Sequence, residues 1–358
     1  MSISTLSLIT AQRTTILRSQ EQIRDAEKEV STGRHADVGA SLGATTGQAV
    51  TLRVELSSVD SQRTSNNLIG VRLDSMQDVL SGLQKSAQSF NSALVTGQTA
   101  SVDISTLVTQ ANAGLEQLFG ALNTATNGQY LFAGTNTSEQ PSVYNNLQDY
   151  EGSPAQEALL QSVQDYKNNV DSTFSLATAT QTQMEDFLNS SFASLFDYDP
   201  DNPSDADAST WKSLWSNSNS DPVLNKITSS ESIDVSANAN LGAFRDLLQG
   251  YAMMAGLGTQ NLSEGARNAL VSKASSLTSG AVSGLIGLQG DIGLRQERLE
   301  AANDRLDSKK AVVKASISSL EDVDVYEAST RVTMLTTQLE AAYSLTSKLQ
   351  GLSLLNYL

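Results

Sequence analysis

The residue types that most often carry out catalysis or bind metal ions are scarce in this sequence of 358 residues. It contains no cysteine and one histidine, His35, in the stretch Thr-Gly-Arg-His-Ala-Asp. A zinc site needs several Cys or His ligands, and a serine nucleophile needs a neighbouring base. His35 is therefore interpreted as an exposed turn residue. No catalytic residue, cofactor-binding residue or cofactor is predicted, and the chain is not expected to be an enzyme.

An acidic run over residues 197–207 is the best candidate for metal binding. Asp197, Asp199 and Asp201 stand at positions one, three and five, as in a calcium-binding loop. The sixth position is Asn202 instead of Gly, and the twelfth is Ala208 instead of Glu. A solvated loop is therefore predicted, and no metal site.

Two glycine clusters and two tryptophans are the remaining candidates for binding a ligand. The glycines at 39–43 and 284–290 match neither a phosphate-binding loop nor a dinucleotide-binding fingerprint. Trp211 and Trp215 could bind glycans in a secreted adhesin, but tryptophan is usually highly buried. These two are therefore expected in the core of their own domain.

The charge balance excludes several partners. Asp and Glu outnumber Lys and Arg by 39 to 23, which gives a formal net charge of -16. A chain of this charge repels nucleic acid and anionic membrane surfaces. No apolar run approaches the roughly 18 residues of a membrane helix, and no cleaved secretory signal is legible at the start. We therefore expect neither nucleic-acid binding nor membrane insertion.

Long helices are predicted on both sides of a central segment. All five prolines lie between Pro141 and Pro222, so both flanks lack the strongest helix breaker. Apolar positions recur in steps of three and four over 52–94 and over 285–323, which is coiled-coil spacing. A shorter helix is predicted from about 104 to 125. The phase of the stripe changes within 321–325, which indicates a break between two helices.

The first and last helices are predicted to form an assembly interface. The first, which we expect to end at Gly33, has a thin apolar stripe, and the last has a rich one. Helices at chain ends are disordered unless something ties them down, and exposed apolar stripes favour association. We expect both to bury apolar surface with other copies or with neighbouring proteins. The predicted interface residues are Ile9, Ile16, Ile23, Val30, Val332, Leu335, Leu339, Leu345, Leu349, Leu352 and Leu355.

The predicted fold class is mainly α, a long antiparallel coiled-coil-like helical bundle with an inserted mixed or β-rich domain. Asn127-Gly128 favours a β-hairpin near 127–137, and short segments at 172–176 and 232–236 alternate like strands. The predicted divisions are terminal helices (1–35 with 325–358), a long-helix bundle (36–144 with 241–324) and an inserted outer domain (145–240).

Several stretches resemble the flagellin superfamily. Val30-Ser-Thr-Gly-Arg34 is similar to the end of its N-terminal helix, and Asn127-Gly-Gln-Tyr-Leu-Phe-Ala-Gly-Thr135 to its hairpin. Residues 338–343 and 352–358 resemble its closing helix. The Gly-x-Tyr-x-Phe-x-Gly pattern of Gly128 to Gly134 and the ending Ser-Leu-Leu-Asn-Tyr-Leu are more similar to the hook-associated proteins of the hook–filament junction than to filament flagellins. Residues 35–39 depart from the Ser-Ala-x-Asp-Asp run usual in flagellin.

The resemblance implies a structural role in the bacterial flagellum, with a flagellin-type fold of paired terminal helices. It implies a subunit exported unfolded by the flagellar type III apparatus, without a cleaved signal peptide, and located outside the cell at the junction of hook and filament. The implied partners are other copies of the chain, a neighbouring hook-associated protein, flagellin and an export chaperone. Filament flagellin and a secreted adhesin or glycan-binding module remain the alternatives.

Overall fold

The computed structural model describes the backbone of residues 5–99, 103–199 and 206–355, and these residues adopt a mainly α-helical fold with two small antiparallel sheets. This confirms the predicted fold class. Within this part of the chain, no helix has both the length and the apolar character to cross a membrane. The helices are α1 (Thr5–Thr32), α2 (Val38–Leu42), α3 (Thr46–Thr99), α4 (Ile104–Leu122), α5 (Leu147–Tyr150), α6 (Pro154–Asn169), α7 (Gln181–Asn189), α8 (Ala206–Leu214), α9 (Gly242–Leu257), α10 (Glu264–Glu321) and α11 (Val325–Leu355). The strands are β1 (Ala125–Thr126), β2 (Gln129–Tyr130), β3 (Leu224–Lys226) and β4 (Ser232–Asp234).

The chain divides into two compact units. The terminal unit comprises the described residues of Met1–Arg63 and Asp304–Leu358, and the central unit comprises those of Thr64–Asn303. Helices α3 and α10 each contribute one segment to each unit. The prediction of long helices on both sides of the central segment is confirmed, since these two helices are 54 and 58 residues long.

In the central unit, neutral side chains join α3 and α10, which run antiparallel. Asn66 is fully buried and donates from its amide to Asn303 Oδ1 at 2.8 Å. Further along, Ser275 Oγ donates to Asn91 Oδ1 at 2.8 Å. Because these groups are uncharged, they satisfy one another in the interior without the cost of burying ions.

In the terminal unit, ion pairs join the same two helices. Arg63 lies 3.2 Å from Asp307, and Lys309 lies 2.8 Å from Glu55. Lys309 and Asp307 are about half exposed, so each pair contributes little to stability. The pairs match oppositely charged faces and thereby favour one register of the helices.

Close packing of α4 against α9 forms the core of the central unit. Gly114 on α4 faces the ring of Tyr251, and a Cβ at that position would overlap the ring. Tyr251 also packs on Phe90, with 5.0 Å between ring centroids. The glycine therefore permits an approach between helices that no larger residue would allow.

The Asn-Gly pair forms the turn of a β-hairpin that joins β1 to β2. Asn127 and Gly128 both have positive φ, 53° and 76°, which a two-residue hairpin of this type requires. Ala125 pairs with Tyr130. From α3, Arg72 donates to the carbonyl oxygen of Tyr130 at 3.0 Å, which fixes the hairpin to the long helix.

The segment 145–240 contains α5 to α8 and the small sheet of β3 and β4. Ser232–Asp234 forms strand β4, at the second of the two segments that alternate like strands. The strand-like interpretation of 172–176 is wrong, because Asp171 Oδ1 accepts a hydrogen bond from Thr173 N at 2.9 Å. Such a local turn competes with pairing in a sheet.

Candidate assembly interface

The helices α1 and α11 pack on each other in antiparallel orientation within the terminal unit. Gln20 Nε2 donates to the Tyr343 hydroxyl at 2.8 Å, and Arg331 Nη1 donates to Glu29 Oε2 at 3.0 Å. Each helix has its apolar residues at spacings of three or four, so one stripe of each faces its partner. The two ends of the sequence thus contribute to a single element of the fold.

The packing between α1 and α11 buries only part of the predicted interface residues. Leu335 is 7% exposed, and Ala26 on α1 and Ala328 on α11 are also buried. Leu345 is 53% exposed. Ile16, Ile23, Val30, Val332 and Leu339 are half-buried. Four further predicted residues, Ile9, Leu349, Leu352 and Leu355, lie outside the residues whose side chains are described.

Apolar side chains beside the paired faces remain in contact with solvent. Leu17 on α1 is 57% exposed, and Met334 on α11 is 54% exposed. Together with Leu345 and the half-buried stripe, they form an incompletely covered surface. Burying it further would be favourable by roughly 25 cal/mol for each Å² of apolar area removed from water.

Gly33 ends α1 and begins a joint between helices, in which the backbones of residues 33–35 and 321–323 are hydrogen-bonded to each other. It has a φ of +69°, a left-handed conformation that favours glycine, and its N–H donates to the carbonyl oxygen of Glu29 at 2.8 Å. Its own carbonyl accepts from the N–H of Val323 at 3.0 Å, and the N–H of His35 donates to the carbonyl oxygen of Glu321 at 3.0 Å. The break after α1 and the break between α10 and α11 are therefore paired side by side through their backbones.

The carboxylate of Glu321 is the most deeply buried charge of this joint. Its side chain is fully buried at the end of α10, and Arg53 on α3 donates Nε to Oε1 at 2.8 Å and Nη2 to Oε2. Arg34 lies 3.8 Å from the same carboxylate. The hydrogen bond from Arg53, helped by the charges of Arg53 and Arg34, lowers the pKa of Glu321 although burial opposes this.

His35 lies in the same joint. Its Nδ1 is 3.6 Å from Glu29 Oε1, and the same oxygen accepts from the N–H of Ala36 at 3.2 Å. Contrary to the prediction, His35 is half-buried, because these contacts hold the turn against the end of α1. Arg331 completes the cluster from α11. The histidine thus contributes to helix packing.

A cavity of about 350 Å³ opens on the terminal unit beside the joint. Ile317 and Leu56 supply its apolar lining, and Arg34 and Lys314 contribute positive charge. Ser318 and Asp322 complete the lining. The cavity therefore combines an apolar surface with a net positive charge in a chain that is strongly acidic.

The charged residues of the joint were not predicted from the sequence. Arg53, Glu321, Glu29 and Arg331 are distant in sequence, and charged side chains on amphipathic helices normally face solvent. One signal was present, since Glu29 lies three residues after the buried Ala26 and next to Val30 of the apolar stripe. A charged residue inside an apolar stripe often has an oppositely charged partner.

The other candidate ligand-binding residues have structural roles. Trp211 and Trp215 are each 2% exposed, and Trp211 Nε1 donates to Asn240 Oδ1 at 2.8 Å. Gly284, from the second glycine cluster, lies in mid-helix against Ala243. In the acidic run, residues 200–205 lie outside the described part. The tryptophans are thus unavailable for stacking on a glycan.

Comparisons with known proteins relate both ends of the chain to one family. Residues 3–137 match the bacterial flagellin N-terminal helical region, and residues 276–358 match the bacterial flagellin C-terminal helical region. A solved structure of a protein from Vibrio parahaemolyticus, assigned as a flagellar hook-associated protein, is similar in fold, with a TM-score of 0.53 at 14% identity. The similarity covers 78% of this chain and 99% of that one. A search of curated proteins found no significant match.

Proposed function

Since this chain belongs to the flagellin superfamily, we propose that it is a structural subunit of the bacterial flagellum, at the junction between hook and filament. The observation that carries the proposal is the pair of α1 and α11, which is joined within one chain yet leaves much of its apolar surface uncovered. Leu17, Met334 and Leu345 are all more than half exposed. A subunit that polymerises needs such an incomplete surface, which its neighbours can cover.

Two features favour the junction over the filament itself. The Gly128 to Gly134 stretch follows the junction-type hairpin pattern, and the buried Phe132 within it packs edge to face on Phe244 at 5.4 Å between centroids. The similarity to a hook-associated fold from Vibrio parahaemolyticus supports the same choice. Filament flagellin is the competing function, because it has the same paired terminal helices.

In this proposal the terminal helices, residues 1–35 and 325–358, bind neighbouring subunits. The proposed interface residues of both helices include Ile9, Leu349, Leu352 and Leu355. Residues 36–144 and 241–324 form the supporting bundle, and residues 145–240 face outward. The partners are further copies of the chain, a neighbouring hook-associated protein, flagellin and an export chaperone. The chain reaches its extracellular position unfolded, through the flagellar type III apparatus.

Electron microscopy of a strain that lacks the protein tests the proposal. We expect hooks without filaments, and flagellin monomers in the growth medium, with filaments restored by the wild-type gene. Filaments of normal length in the deletion strain would contradict it. Seeded growth of long filaments from the purified chain would instead favour filament flagellin.

A further inference from the structure

The first turn of α11 presents an exposed aromatic side chain between two carboxylates. Tyr326 is 87% exposed and Val325 is 44% exposed, while Asp324 and Glu327 flank them in the sequence. Tyrosine combines an apolar ring with a polar hydroxyl and is enriched in protein interfaces. This acidic-aromatic segment, residues 324–327, has the composition of a contact site for another protein.

The segment is held in a fixed conformation. Asp324 caps α11, since its Oδ1 accepts from the N–H of Tyr326 at 2.8 Å and from that of Glu327 at 3.3 Å. Glu327 also pairs with Arg331 one turn later, at 2.9 Å. A preorganised segment loses little conformational entropy when it binds.

The cavity beside the joint has the complementary chemistry. Leu56 and Ile317 both line the cavity, so they offer an apolar wall for a ring. Lys314 is exposed and has no ion-pair partner among the described residues, and Arg34 lies nearly 4 Å from its acidic neighbours. Cations at the rim of an apolar cavity attract both an aromatic face and nearby carboxylates. The volume of about 350 Å³ accommodates one aromatic side chain.

Tyr326 does not fill this cavity in its own chain, because its side chain is almost fully exposed. We propose that Tyr326 of one copy inserts against Leu56 and Ile317 of a second copy, with its flanking carboxylates facing Lys314. The inference rests on the proposed function, since it specifies a contact within the polymer. Because the two surfaces differ, the contact is heterologous and continues from copy to copy around a ring or a helix.

Cross-linking tests the contact directly, since the chain has no cysteine of its own. Tyr326→Cys and Ser318→Cys chains with different tags are produced together in one strain, and isolated flagella are oxidised. Ser318 lines the cavity and is exposed, so its substitution should be tolerated. We expect a disulfide-linked dimer that carries both tags. Val170→Cys, 64% exposed in the central unit, replaces Ser318→Cys as the control and should give no mixed dimer.

A second measurement does not depend on cross-linking. Tyr326→Ala should lower the amount of the chain in isolated flagella at least tenfold without changing its thermal midpoint, whereas Tyr326→Phe and Val170→Ala should stay near the wild-type amount. Normal incorporation of Tyr326→Ala, or assembled flagella without the mixed dimer, would overturn the contact. Either result would leave the proposed function intact, because that function is tested separately by the deletion strain and by seeded growth of the purified chain.

Discussion

Arg53 donates two hydrogen bonds to the fully buried carboxylate of Glu321, which is the last residue of α10. The backbone carbonyl of Glu321 accepts from the N–H of His35, so the same residue also joins α10 to the turn after α1. Beside the backbone hydrogen bonds, one ion pair between residues 268 positions apart therefore also stabilises the paired breaks in the helices.

Replacing Arg53 with methionine should destabilise the terminal unit, because it leaves a buried carboxylate without its main partner. We expect a loss of about 2 kcal/mol in the free energy of unfolding, below the usual cost for a buried pair because Arg53 is half exposed. Denaturant unfolding followed by circular dichroism measures it. Lys309→Met, which breaks an exposed pair, is the control and should cost less than about 0.5 kcal/mol. Equal losses in both variants would refute the role of Arg53.

The contribution of Glu321 should depend on pH. Its pKa is lowered in the folded state, so its stabilising effect is complete above the unfolded pKa of about 4.3 and is lost as the pH falls through the lower folded value. The difference in unfolding free energy between the wild type and Glu321→Gln should stay constant above about pH 5. It should shrink below about pH 4.3. A difference that does not change between pH 7 and pH 3 would show that the charge is unimportant.

Leu335 and Leu345 lie on the same helix. Substituting each in turn should distinguish an effect on folding from an effect on assembly. Leu335→Ala should destabilise the pair of α1 and α11 by about 2 kcal/mol, because Leu335 is 7% exposed. Leu345→Ala should cost less than about 0.5 kcal/mol, because Leu345 is 53% exposed, but it should reduce incorporation into flagella. Thermal unfolding and the amount of chain in isolated flagella measure the two effects. If Leu345→Ala assembles like the wild type, the proposed interface does not include that position.

Deleting residues 1–30 should remove more helix than the deleted segment itself. Helix α11 packs on α1, and a helix that loses the partner of its apolar face is marginally stable in water. We therefore expect the circular dichroism signal to fall by the share of both helices, 28 and 31 residues, and assembly to be lost. The thermal transition of the central unit should be unchanged. A fall that matches α1 alone would mean that α11 is stable without its partner.

The helix breaks were predictable from local sequence, whereas the side-chain contacts that join them were not. Gly33 permits the left-handed cap after α1, and the change of phase within 321–325 coincides with the gap between α10 and α11. These signals depend only on backbone geometry and on the period of the helix. The pair of Arg53 and Glu321 depends instead on which faces of two distant helices meet.

The neutral side chains that join α3 and α10 were likewise not predictable as a contact from the sequence. The three-four spacing places Asn66 in the stripe, and the structure buries it fully against Asn303. Spacing alone does not reveal that a buried amide has a partner on the other helix. Likewise, alternation suggested a strand at 172–176, but the hydrogen bond from Thr173 to Asp171 forms a turn there.

The contact between Glu29 and Arg331 joins residues 302 positions apart in the sequence. During translation, α1 is synthesised long before its partner α11. The ribosome adds roughly 5–20 residues per second, so α1 waits at least about 15 seconds before it can pair. The two helices thus cannot pair before synthesis has reached α11, whatever the speed at which the central unit folds.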